Sequence, residues 1–172
     1  ALCFALIATL MLVTNFSVIR AMDYPDPDDA LRMVQVRDLL AGQGWFDLVQ
    51  HRIDAPSGGI LMHWSRLVDV PIALIVLLLT PILGQGAAEM VAAIAVPLVT
   101  FACALLLVAR IAWRLIGGET AGLACLSMAL SVPVLAQMRP LRIDHHGWQI
   151  VMLLVAVNPL LSRSSRLGGL VA

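Results

Sequence analysis

The chain has 172 residues, 60% of which are hydrophobic, and its mean hydropathy is +0.93. Its eleven basic and eleven acidic residues give a net charge of zero, and we expect no nucleic-acid partner. Cys3, Cys103 and Cys125 all lie in apolar runs, which argues against a disulfide framework or a cysteine metal site. This composition is typical of an integral membrane protein.

Four apolar runs predict membrane spans. Residues 1–20 predict the first span. A cleaved signal peptide is the rival interpretation, but no small-residue cleavage motif stands out near Arg20. Residues 87–113, 120–138 and 148–162 predict three more. Because the chain opens and closes within apolar runs, we expect it to be the N-terminal part of a longer membrane protein.

The region between the first two predicted spans carries most of the charge. Most of the eleven acidic residues lie between residues 23 and 69. Two prolines disfavour helix in the residues before them, and Asp26, Asp28 and Asp29 are well suited to cap a helix start. The apolar spacing over residues 30–40 then predicts a short amphipathic helix at the membrane interface.

A polar loop closes on His63 and Arg66, which could contact a phosphate or a carboxylate of a substrate, although a solvated loop explains them about as well. The apolar stretch that follows, residues 68–84, is short for a span and is interrupted by an aspartate and two prolines. We predict a helix there that does not cross the membrane.

A charge argument sets the predicted topology. Basic residues mark the cytoplasmic side, and the arginines that define it here are Arg110, Arg114, Arg163 and Arg166. With a non-crossing helix at 68–84, residues 21–86 and 139–147 become external loops on one side of the membrane. If that helix crossed, the two loops would face opposite compartments. Arg139 and Arg142 violate the charge rule, which indicates retention for a partner.

The second external loop contains a set of potential metal ligands. Asp144 and His146 lie two residues apart, so an extended segment would let both converge on one cation, with His145 pointing elsewhere. A charged group at membrane depth costs about 3 kcal/mol, so such groups are kept at edges, in wet cavities or at working sites. The alternative is a polar interhelical loop without function. A metal site is favoured by the acidic cluster of Asp26, Asp28 and Asp29, which is predicted on the same side of the membrane.

The order of these features resembles the membrane-embedded GT-C glycosyltransferases, and most of all the N-terminal part of the catalytic subunit of oligosaccharyltransferase and its bacterial and archaeal relatives. The residues that carry the resemblance are Asp26-Pro27-Asp28-Asp29, Gly44-Trp45-Phe46-Asp47, Pro56-Ser57-Gly58-Gly59 and Asp144-His145-His146. The resemblance implies an all-α integral membrane protein. Its fold would be a GT-C-type transmembrane helix bundle whose first external loop contains short interfacial helices.

The resemblance also implies an activity. The protein would be a glycosyltransferase that moves a sugar or oligosaccharide from a polyprenyl-(pyro)phosphate donor to an acceptor. It would act on the external, periplasmic face of a bacterial inner (plasma) membrane, with membrane lipids as further partners. A divalent cation, Mg²⁺ or Mn²⁺, would be held by Asp28, Asp144 and His146, although an imidazole shifts the balance towards Mn²⁺ or Zn²⁺.

The resemblance leaves the role of the first loop open. Asp26, Asp28 and Asp29 are each candidates for the first-loop ligand or for a catalytic base, and Asp28 fits best. Arg142 and Arg139 would pair with the carrier phosphate, unless they bind lipid head groups. The further candidates for substrate contact are His63, Arg66 and His145.

Three alternatives remain at the level of sequence. The first is a metal-independent GT-C transferase that uses a first-loop aspartate as its base. The second is a transporter or channel subunit whose acids and histidines relay protons or ions, and the third is a membrane scaffold with a cation-bridged acidic loop. The chain lacks the later external loop and soluble domain with which oligosaccharyltransferases grip their acceptor, so the resemblance does not imply protein glycosylation.

Overall fold

The computed structural model describes residues 1–161, so residue 162 of the last predicted span, Arg163 and Arg166 lie outside the described residues. The described part is all-α apart from one small hairpin, which confirms the predicted all-α class. The helices are α1 (Leu2–Thr14), α2 (Phe16–Ala21), α3 (Pro27–Leu40), α4 (Asp69–Leu83), α5 (Gln85–Leu115), α6 (Gly118–Ala129), α7 (Val132–Met138) and α8 (His146–Leu160). Between α3 and α4, β1 (Val49–Gln50) pairs antiparallel with β2 (Ile60–Leu61), and a 3-10 turn (Ala55–Ser57) separates them.

Helix α5 is the centre of the fold. Its 31 residues make it about 46 Å long, and α1, α4, α6, α7 and α8 all pack against it. Helix α8 runs in the same direction as α5, since Gly147 in its first turn lies against Thr100, and Asn158 in its last turn donates to the Leu107 carbonyl. Helix α6 runs the opposite way and contacts α5 through Cys125, whose Sγ lies 3.4 Å from the Leu105 carbonyl oxygen.

Helix α4 turns back at Gly84 and packs along the first half of α5. Gly84 has φ +79°, a conformation that glycine adopts without strain. Ile75 of α4 and Val99 of α5 line the same cavity, which is consistent with an antiparallel pair. Helix α3 lies beside both, with Leu40 and Pro81 lining a second cavity. At 15 residues, α4 is about 22 Å long, which is shorter than the ~30 Å hydrocarbon core of a bilayer.

Among the described residues, α5 is the one helix long and apolar enough to cross a membrane by itself. Helices α6 and α7 meet the same criterion only as one span bent by 71°, and α1, α4 and α8 are shorter apolar helices. One such helix is weak evidence for membrane association, because the core helix of a soluble protein has the same properties. The four-span topology therefore stays a prediction.

Two of the predicted spans are not continuous helices. Residues 1–20 divide at Asn15, whose Nδ2 donates to the Met11 carbonyl at 2.8 Å and so competes with the helix hydrogen bonds. Residues 120–138 divide between α6 and α7, where Pro133 cannot donate a backbone hydrogen bond.

The buried core forms two clusters. One lies under α3, α4 and the first half of α5, and the other lies between α1, α5, α6, α7 and α8. Large apolar side chains nevertheless remain exposed on most of the helices, including Leu2, Leu78, Leu106 and Leu153. Exposed apolar surface on this scale is typical of proteins that contact lipid or another protein.

Candidate functional site

Two acidic segments that are far apart in sequence meet beside α5. The Asp29 carboxylate accepts a hydrogen bond from the backbone N–H of Asp144 at 2.9 Å, across a separation of 115 residues. Its second oxygen accepts from Nη1 of Arg142 at 3.1 Å. Asp29 is fully buried. This contact joins the start of α3 to the loop that precedes α8.

The start of α3 explains why Asp29 is buried while Asp28 is exposed. Asp26 caps the helix, because its carboxylate accepts from the backbone N–H of Asp28 at 3.0 Å, and Pro27 occupies the first helical position. Successive helical residues then point about 100° apart, so Asp29 faces the core and Asp28 faces outward. Both acids lie in the first turn, where the helix dipole favours negative charge.

Arg32 connects the two acidic segments to a third stretch of chain. Its Nη1 lies 2.9 Å from Oδ1 of Asp69, and its Nη2 lies 3.2 Å from Oδ1 of Asp144. The guanidinium carbon also stands 4.6 Å from the centre of the Trp64 ring, within the range of a cation–π interaction. All three ion-pair side chains are almost completely buried.

Arg66 supports this network from the side. Its Nη1 lies 3.4 Å from Asp69 and donates to the Gln35 carbonyl at 3.0 Å. Its Nη2 donates to Oε1 of Gln43 at 2.8 Å and to the Asp47 carbonyl at 2.7 Å. With only 4% of its surface exposed, Arg66 is committed to contacts inside the protein.

Asp144, His145 and His146 form the metal-competent group of the described residues. One ligand atom from each lies within 4.8 Å of the other two. The Asp144 carboxylate contacts Nδ1 of His145 through Oδ1, and its Oδ2 lies 3.5 Å from Nε2 of His146. One carboxylate and two imidazoles suit Mn²⁺ or Zn²⁺ better than Mg²⁺, which prefers oxygen ligands.

The participation of His145 differs from the expectation that its side chain would point elsewhere. That expectation assumed an extended segment, in which alternate side chains share a face. His145 instead has helical φ and ψ just before α8, and its ring centre lies 4.4 Å from that of His146. The early start of α8 therefore brings both imidazoles to Asp144.

The three aspartates of the first segment have different surroundings. Asp26 and Asp29 use their carboxylates within the protein, and each pairs with Arg142 at 3.1 Å. Asp28 is exposed, and its carboxylate makes no hydrogen bond or ion pair with any of residues 1–161. Asp28 lies outside the Asp144 group. Of the three, it has the carboxylate that is available to a ligand.

Of the residues predicted to contact substrate, some are already paired inside the protein and others make no ion pair within the described part of the chain. Arg142 is engaged by the two aspartates and by Oε1 of Gln137 at 2.7 Å. Arg139 makes no ion pair within the described part of the chain, and its buried Nε has no hydrogen-bond partner. It lies beside a cavity of about 290 Å³ between α1 and α7. His63 is exposed and contacts the edge of Trp64.

Burial and hydrogen bonding shift the carboxyl pKa values in opposite directions. Burial raises the pKa of Asp29 to about 6, and it also raises the pKa of Asp69 despite two arginine partners. Burial opposes ionisation of Asp144 as well, but hydrogen bonds from His145 and Arg32 outweigh it and lower its pKa. The backbone N–H of Asp28, followed by Arg142, lowers the pKa of Asp26.

Sequence reasoning did not identify Arg32, Trp64 or Asp69 as parts of the site. One signal was available, since Arg32 follows Asp29 by three residues and so shares its face of α3. A second was the isolated acid at the start of the apolar α4.

A comparison of the chain with protein-family models, curated proteins and solved structures finds no match.

Proposed function

We propose that the protein is a glycosyltransferase that uses a polyprenyl-(pyro)phosphate sugar donor and a divalent cation. The observation that carries the proposal is the contact between Asp29 and Asp144. It brings the acidic segment after α2 next to the Asp144, His145 and His146 group, as a cation-dependent transfer site on one side of a membrane requires. A non-crossing α4 is part of this proposal, since a crossing helix would separate the two segments.

The chemistry assigns a task to each group of residues. Asp144, His145 and His146 would hold the cation, which would offset the negative charge on a departing phosphate. The buried Arg32 pairs with the Asp144 carboxylate at 3.2 Å and would hold it in position for the ligand. Asp28 is the exposed carboxylate that can accept a proton from the acceptor hydroxyl or amide. Arg139, which lacks an internal acidic partner among the described residues, is the cation for the carrier phosphate.

The surface of the molecule supports a membrane location. Helix α5 is long enough to cross a bilayer, and the exposed leucines of α1, α4 and α8 would contact lipid. Helices α5 and α8 run in one direction and α6 in the other, as the proposed topology requires. We place the active site on the periplasmic face of a bacterial inner membrane.

The test measures transfer and metal binding in the same protein. Purified protein in proteoliposomes is supplied with a panel of radiolabelled polyprenyl-phosphate and polyprenyl-pyrophosphate sugars, and Mn²⁺ binding is followed by electron paramagnetic resonance. Asp144→Ala and His146→Ala should each lower transfer at least about 100-fold, since even indirect partners of a metal are worth about 10- to 100-fold. Glu119→Ala, an exposed acid at the start of α6, is the matched control and should keep full activity.

Wild-type transfer by the Asp144→Ala/His146→Ala double variant would contradict the proposal. A metal-independent transferase is the second candidate, and it is favoured by the Asp28 carboxylate, which pairs with no side chain of residues 1–161. In that case a chelator leaves transfer intact while Asp28→Asn abolishes it. For the cation-dependent enzyme, the chelator stops transfer and Mn²⁺ restores it.

A further inference from the structure

A proline in the middle of α5 leaves one backbone carbonyl free. Pro97 has no N–H, so the carbonyl of Ala93, four residues earlier, loses its regular α-helical partner. The backbone N–H of Leu141 donates to that carbonyl at 2.9 Å. Both Ala93 and Leu141 are fully buried, where an unpaired carbonyl or N–H is strongly disfavoured. The Leu141 N–H and the Ala93 carbonyl therefore satisfy each other's need for a hydrogen-bond partner.

Leu141 has an uncommon backbone conformation. Its φ is +70°, which side chains other than glycine rarely adopt and which persists only where the surroundings fix it. Its side chain packs in the same apolar cluster as Met33, Val36 and Ala93. The chain changes direction at this residue, and the next three residues bring Arg142 to Asp29 and Asp144 to Arg32.

We propose that Pro97 is a positioning residue for the cation site: by leaving the Ala93 carbonyl free, it anchors Leu141 and so sets the position of Asp144 and the two histidines. Proline also clashes with the carbonyl four residues before it, which turns that carbonyl away from the helix axis. An ordinary residue at position 97 would let the helix close and would compete with Leu141 for the same oxygen. The metal part of this inference rests on the proposed function, whereas the backbone anchor does not.

The test is Pro97→Ala in the protein reconstituted in nanodiscs. Hydrogen exchange measured by mass spectrometry reports the protection of the Leu141 amide, and electron paramagnetic resonance reports the affinity for Mn²⁺. Loss or sharing of one buried backbone hydrogen bond should lower both about three- to tenfold. The thermal unfolding temperature should not fall, because alanine is the best helix former. Pro81→Ala is the matched control, since it also removes a proline from a helix but lies at the far end of α4.

Each readout decides a different part of the inference. Unchanged exchange at Leu141 in Pro97→Ala overturns the anchor. Faster exchange with unchanged Mn²⁺ affinity overturns the positioning role, while loss of Mn²⁺ binding in Asp144→Ala still upholds the proposed function. If the wild-type protein binds no Mn²⁺, both the proposed function and the positioning role fail, and exchange at Leu141 still decides the anchor. A lower unfolding temperature together with unchanged Mn²⁺ affinity would show that Pro97 matters only for stability.

Discussion

Arg32→Met is the most informative single substitution for the stability of the fold. Methionine keeps much of the length and apolar volume of the arginine stem but removes the charge between Asp69 and Asp144. Those carboxylates lie 2.9 and 3.2 Å from the guanidinium, and neither is appreciably exposed. Breaking a buried ion pair by removing one partner costs about 3–5 kcal/mol, because the other partner stays buried without compensation.

Two features of the site adjust this magnitude. The lost stacking on Trp64 adds about 0.5–2 kcal/mol to the cost. The second arginine, Arg66, remains 3.4 Å from Asp69 and compensates part of it. We therefore expect Arg32→Met to lower the free energy of unfolding by about 3–5 kcal/mol. Arg32→Lys keeps the charge but cannot reach both carboxylates with a planar fork, and should lie between wild type and Arg32→Met.

The assay is denaturant unfolding in mixed micelles, followed by tryptophan fluorescence. Arg52→Met is the matched control, because Arg52 pairs with Asp38 at 2.7 Å while 62% of its own side chain is exposed. Exposed pairs contribute about 0–1 kcal/mol. If Arg32→Met is no more destabilising than Arg52→Met, the buried network does not hold the two acidic segments together, and the reasoning for the site is wrong.

Three further predictions test other parts of the fold. Asp26→Ala should cost about 1 kcal/mol through loss of the α3 cap, and Asp26→Asn much less, as measured by the same unfolding assay. Tyr24 is the only tyrosine, and burial raises its pKa to about 12. Its absorbance at 295 nm should titrate near that pH. The free energy of unfolding should fall as the pH rises from 10 to about 12, because Tyr24 ionises at lower pH in the unfolded chain than in the folded protein. Titration near pH 10 would show that Tyr24 is exposed. Gly59→Ala should cost about 1–3 kcal/mol from its φ of +106° alone, with an added clash 2.9 Å from the Gln50 carbonyl, whereas Gly44→Ala, which meets no atom closer than 3.7 Å, should be nearly neutral.

The sequence predicted the elements that depend on local patterns. The cap of α3 and the long, mostly apolar run of α5 are local patterns, and both helices are found close to their predicted bounds. The amphipathic pattern did not predict the buried face of α3, which includes Arg32 and Gln35. The breaks after Thr14 and after Ala129 were missed, because a single asparagine or proline inside an apolar run does not reveal whether the helix continues.

The partners of the buried charges could not be read from the sequence. Arg32, Arg66 and Arg52 are all arginines, and nothing local in the sequence distinguishes them. Only the fold determines that the first two are buried and that Arg52 is exposed. The role of Leu141 was also beyond prediction, because positive φ in a leucine follows from tertiary contacts and not from propensity. The predicted topology placed the segments of Asp29 and Asp144 on one side of the membrane, but nothing in the sequence indicated that these two residues touch.

The order in which the buried charges are synthesised has a consequence for biogenesis. Asp29, Arg32 and Asp69 are made early, and Arg32 can pair with Asp69 at once. Asp144 supplies both the backbone N–H that donates to Asp29 and the second carboxylate that pairs with Arg32. It leaves the ribosome more than a hundred residues after Asp29. Until then the nascent chain carries incompletely paired charges next to apolar helices, so the α3–α4 region reaches its final arrangement only after α5 to α7 have been synthesised.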